Sequence, residues 1–150
     1  MTNDLLAFLN ARLDEDEAAA EAAARKRKPP WRAEVYAGGL AGSINNSPEG
    51  ASPARHDRGH VAEAISGTVA PHIARHDPAR VLREVAAKRA VIATVFAYEA
   101  KIDGEWACCH SADEIAAGSC PETRLDDITA LRELAAIWVG HPDYRDEWAS

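Results

Sequence analysis

The chain has a single methionine, at position 1, only nine aromatic residues and only three cysteines. An odd, small number of thiols argues against a disulfide framework and suits a reducing compartment. With so few aromatics and so much of the apolar content in alanine, the core is expected to be economical. No apolar run approaches the ~20 residues of a membrane span. The opening MTNDLLAFLN lacks the basic segment of a secretory signal, so the expected location is the cytoplasm, with no membrane partner. An excess of positive charge is also missing. The formal net charge is −7, which argues against a nucleic-acid binder that works by neutralising phosphates. Enzyme signatures are absent too: there is no glycine-rich phosphate loop, G-x-S-x-G or H-E-x-x-H, and GGLAG does not have the dinucleotide-binding pattern. No internal repeat appears at solenoid periods.

What is present reads as one domain of 150 residues, α+β and mainly helical, with three principal helices and a small antiparallel β-hairpin. The first helix is expected over residues 1–28, capped by Thr2 or Asn3. Leu5, Leu6, Phe8, Leu9 and Leu13 form its apolar stripe. Beyond Leu13 it offers only alanine for burial. Glu21 and Arg25 make an i,i+4 pair, the run Asp14–Glu17 reads as a solvated face, and Arg25–Lys28 suits the helix C-terminus. Pro29 and Pro30 end it.

Residues 31–66 are expected to form the hairpin. Trp31, Ala33 and Val35 alternate with Arg32, Glu34 and Tyr36, and HVAEAIS supplies the partner strand. The intervening residues, about 37–59, are rich in Gly, Ser, Asn and Pro and read as a long mobile loop.

Residues 68–99 are the helical core. Thr68 is placed to cap a short helix through His76. Asp77-Pro78 then starts a long helix to about Tyr98, with Val81, Leu82, Val85, Ala86, Ile92, Val95 and Phe96 on one face and a Glu84–Lys88 pair outside. Residues 100–122 form a connector containing all the cysteines. Over 123–150 the spacing predicts a last helix, capped by Thr123 with Asp126 and closed at Gly140, followed by a tail docked through Tyr144 and Trp148.

Two stretches carry candidate chemistry. In EWACCHSADEIAAGSCP, Cys108, His110 and Cys120 are candidate ligands of a structural zinc ion, with His76, His141 or Asp113 as a fourth. The same thiols, with Cys109, could serve a redox role if Cys108 or Cys109 approached Cys120. They read equally as reduced, packed side chains. In HIARHDPARVL, His72 and His76 share a helical face as two metal ligands would. Asp77 is already explained as a cap, and Arg75, Arg80 and Arg83 could take an anion or pair with the acidic first helix.

The segments DLLAFLNARLDEDE, HIARHDPARVLREVAAKR, CPETR and HPDYRDEW resemble an uncharacterised family of actinobacterial and actinophage proteins, the domain of unknown function 6221. The resemblance implies a small intracellular protein and no assigned activity. Members often carry a C-x-x-C pair ahead of CP, where this chain has the adjacent Cys108 and Cys109. The expected function is a non-catalytic protein-binding or adaptor module, with a protein partner met through the first helix or the hairpin and no required cofactor. Self-association through the alanine-rich face of the first helix is also open. The alternative is a small redox-active or metal-dependent enzyme using Cys108, Cys109, Cys120 and the histidines.

Overall fold

The computed structural model describes residues 4–36, 38–46, 60–99, 101–102, 105–106 and 128–149. The fold is α+β and mainly helical. Four α-helices are seen among the described residues: α1 (Asp4–Lys26), α2 (Ala70–Arg75), α3 (Pro78–Glu99) and α4 (Thr129–Ala135). A three-stranded antiparallel sheet, β1 (Arg32–Val35), β2 (Gly42–Asn45) and β3 (His60–Ile65), has the order β1-β2-β3. Two further strands, β4 (Lys101–Ile102) and β5 (Glu105–Trp106), pair antiparallel. The chain divides into two compact units, residues 16–85 and residues 1–15 with 86–150.

Residues 16–85 hold the three-stranded sheet. The strands predicted at Trp31–Tyr36 and His60–Ser66 are both present, but they do not pair with each other. The segment GSIN, expected to be loop, forms β2 and lies between them. All four of its residues are buried although only Ile44 is a large apolar residue. A central strand is screened on both edges by its neighbours, so its backbone is satisfied without help from side-chain pattern. β1 and β2 run in register from Arg32↔Asn45 to Val35↔Gly42, whereas the β2–β3 register is irregular at Ile44.

The turn between β1 and β2 is closed by Tyr36 N–H donating to the Ala41 carbonyl (2.9 Å) and Gly39 N–H donating to the Tyr36 carbonyl (3.0 Å). Gly38 and Gly39 take φ of 92° and 71°, which side chains resist. Gly42 is needed for a different reason. A Cβ there would lie 2.7 Å from the Glu34 carbonyl oxygen and 3.2 Å from Ala70 Cβ, so its bare backbone lets α2 settle on the sheet.

Asp77 ties this unit together. Its Oδ1 accepts from the Arg80 N–H (2.8 Å), the cap expected for α3, and its Oδ2 accepts from the Trp31 N–H at the entry to β1 (3.3 Å). Thr68, by contrast, does not cap α2. Its hydroxyl pairs with Ser66 Oγ, the helix starts at Ala70, and Val69 occupies the cap position without a side-chain bond.

In the other unit, Leu5, Phe8, Leu9 and Leu13 of α1 are buried, with Ile92 of α3, Leu131 and Ala135 of α4, and Trp148. The tail therefore docks, as its aromatics suggest. Phe8 is the hub: its ring meets Trp138 at 6.5 Å, Tyr144 at 6.1 Å and Trp148 at 5.0 Å. Such offset and edge-on contacts are the favoured geometries for ring pairs. The expected close at Gly140 differs in detail. No positive φ is used there; α4 instead tightens through a 3-10 turn over Ala136–Trp138. Lys88 places its ammonium 5.0 Å from the Trp138 ring centroid. Back in residues 16–85, Glu84 accepts from Arg80 Nε at 2.6 Å, and the expected Glu21–Arg25 pair forms at 3.4 Å. The Thr2, Asn3 and Thr123 caps lie outside the described residues.

Candidate functional site

Cys108, Cys109, His110, Asp113 and Cys120 all lie outside the described residues. Among the described residues, no group of three or more His, Cys, Asp or Glu side chains gathers to hold a metal ion. The other residues singled out in the sequence are each placed. His72 and His76 stand on and just after α2, both exposed, with ring centroids 4.8 Å apart. Asp77 is buried and turned onto two backbone N–H groups, so it acts as a cap. Arg80 is drawn to Glu84 and, at 3.4 Å, to the Arg75 carbonyl.

His141 belongs to an arrangement the sequence did not announce. Arg12 is buried, its side chain only 7% exposed, on the apolar face of α1. Its Nη2 donates to Glu15 Oε1 at 2.8 Å, and its Nη1 abuts the His141 imidazole, 2.6 Å from Nδ1 and in contact with Nε2. The guanidinium carbon also stacks 5.4 Å from the Phe8 centroid. His141 Nδ1 accepts the Asp143 backbone N–H (3.1 Å), which fixes the ring against the tail. The Asp143 carboxylate stands farther off, 3.6 Å from Arg12 Nη1, and is 71% exposed. One clue was available. Arg12 follows Leu5 by seven residues and Phe8 by four, so it interrupts an apolar stripe where a leucine would be expected.

These groups border an open groove of about 510 Å³, walled by Ala7 and Ala11 of α1 on one side and Pro142, Asp143 and Tyr144 on the other. Its far end is closed by Asp4 and Arg145, paired at 2.8 Å. The Arg145 guanidinium is held above its ordinary pKa, first by its hydrogen bond to Glu147 and then, against some desolvation, by Asp4. It also lies 5.4 Å from the Trp148 ring centroid. The charged groups around the groove are thus paired with one another, a constellation suited to holding a shape, while Arg12 Nε and the Trp148 indole N–H are buried with no hydrogen-bond partner among the described residues.

The second feature is in residues 16–85. The β1–β2 hairpin presents Val35, Tyr36 and Leu40 to solvent, Leu40 with 88% of its surface exposed. Val35 and Leu40 meet at Gly67: its N–H donates to the Leu40 carbonyl (3.4 Å), and a Cβ there would sit 3.0 Å from Val35 Cγ1. Val69, two residues on, is exposed as well. The hairpin thus gathers large, exposed apolar side chains beside a turn closed by the Tyr36–Ala41 hydrogen bond.

Among the described residues, no helix is long and apolar enough to cross a membrane. Neither the curated proteins nor the solved structures contain a match to the chain. A family match does extend over residues 2–150, and the chain belongs to the family of unknown function DUF6221.

Proposed function

We propose that this chain is a small cytoplasmic, non-catalytic protein-binding module of bacterial or phage origin, and that it meets its partner through the β1–β2 hairpin tip. The observation that carries the reading is the exposure of Val35, Tyr36 and Leu40 around a turn closed by the Tyr36–Ala41 hydrogen bond. Apolar surface left in water is costly to the free protein, and covering it with a partner recovers about 25 cal/mol per Å². The groove beside Arg12 is a second recessed surface, and its interlocked charges favour a role in shaping the tail.

Site-specific photo-crosslinking tests this reading. A photoreactive residue at position 40 should capture one protein in near-stoichiometric yield from cells that produce the chain. The same probe at the exposed Glu133 should not. Leu40→Ser should abolish co-purification of that protein while leaving the circular dichroism spectrum unchanged. Capture that is equal from both positions, or retained by Leu40→Ser, would rule out the hairpin tip as the docking surface.

A further inference from the structure

The two histidines of HIARHDPARVL remain unused by the protein-binding reading. They lie four residues apart, are both exposed, and hold their rings 4.8 Å apart with planes tilted by 48°. His72 is on α2 and His76 is the residue that ends it, with a non-helical backbone, while Ala70 at the start of that helix is buried. Two exposed imidazoles held this close can turn ring nitrogens to a common ion by side-chain rotation.

The surroundings narrow what could bind. Asp77, the nearest carboxylate in sequence, has both oxygens on backbone N–H groups, so among the described residues the donors offered at this point are the two imidazoles. Imidazole nitrogen suits zinc, copper and nickel, whereas magnesium and calcium demand oxygen. Arg80, which would repel a cation, is neutralised by Glu84 at 2.6 Å. We propose that His72 and His76 form a two-imidazole site for a divalent transition-metal ion of the zinc–copper–nickel class, with its remaining coordination positions open to water or to a donor from another molecule.

The test uses the full chain without an affinity tag, titrated with zinc chloride at pH 7.5, where free imidazole is mostly neutral. Histidine ring resonances are followed by NMR, with magnesium chloride as the control. The rings of His72 and His76 should respond together at one zinc concentration and ignore magnesium. Because each imidazole makes binding of the other intramolecular, His72→Ala should raise the zinc midpoint read at His76 by at least ~tenfold. His76→Ala should do the same at His72, and His72→Gln, which keeps a polar side chain of similar reach, should match His72→Ala. The readout is residue by residue, so zinc captured by Cys108, His110 or Cys120 is seen separately. The proposal is overturned if His76 keeps its midpoint in His72→Ala, if neither ring responds to millimolar zinc, or if magnesium acts equally.

Discussion

Replacing Trp148 by alanine should destabilise the protein more than any change at an exposed position. The indole is 2% exposed and lies 5.0 Å from the Phe8 ring and 5.8 Å from the Tyr144 ring, under the Arg145 guanidinium. Removing a buried aromatic of this kind costs about 3–5 kcal/mol, from lost transfer energy and the cavity left behind. That is a large part of the ~5–15 kcal/mol that holds a domain folded.

Phenylalanine at the same position provides the sharper test. It gives up roughly 50 Å² of buried ring, about 1.3 kcal/mol at 25 cal/mol per Å². It also removes the indole N–H, which is buried with no hydrogen-bond partner among the described residues. An unsatisfied buried donor costs about 1–3 kcal/mol, so the two changes nearly cancel. Trp148→Phe should therefore lie within about 1 kcal/mol of wild type, and Trp148→Ala about 3–5 kcal/mol below it. Urea unfolding followed by far-ultraviolet circular dichroism measures both. Amide exchange at Phe8, Leu9 and Leu13 should accelerate in the alanine variant alone. If phenylalanine proves as damaging as alanine, the orphan N–H argument is wrong; a loss under 1 kcal/mol for alanine would refute docking of the tail through its ring.

Three glycines separate cleanly. Gly140 has no positive φ and nothing within 4 Å of an added Cβ, so Gly140→Ala should stabilise by about 0.4–1 kcal/mol, read as a higher melting temperature. Gly42→Ala and Gly67→Ala instead drive a methyl into the backbone carbonyls of Glu34 and Gly39 and should each cost about 1–3 kcal/mol in chemical denaturation. Asp77→Ala removes the α3 cap and the acceptor of the Trp31 N–H, a loss of about 0.5–2 kcal/mol for the cap alone. Asp77→Asn keeps one acceptor oxygen and should recover the α3 cap but not the second bond, because its NH2 cannot accept from the Trp31 N–H; it should fall between wild type and alanine, and stability equal to wild type would show that the Trp31 bond contributes nothing.

Local chemistry decided which elements could be read in advance. Asp77-Pro78 combines a carboxylate acceptor with a residue that lacks an N–H, so the start of α3 was visible in two letters. Of the stripe Leu5, Leu6, Phe8, Leu9 and Leu13, all but the half-buried Leu6 are buried, and of the tail aromatics Trp148 is buried and Tyr144 half-buried. β2 was invisible because the information that makes GSIN a strand sits in its neighbours: a free edge on β1, another on β3, and α2 above. The Arg12–His141 contact spans 129 positions and depends on the tail folding back, which no local pattern encodes. At Gly140 the residue type suggested a left-handed cap, yet a 3-10 turn satisfied the same carbonyls without one.

The pairing of α1 with the segment around Trp148 also orders events during synthesis. Residues 16–85 are contiguous, so every residue of that unit has been made once synthesis passes Val85 in α3. The leucines of α1, made first, must wait until residues 128–149 exist before their ring of aromatics can close over them. During that interval a nascent chain carries α1 with its apolar stripe uncovered, the kind of surface that chaperones engage. A segment made before residues 128–149 thus completes its folding only after them.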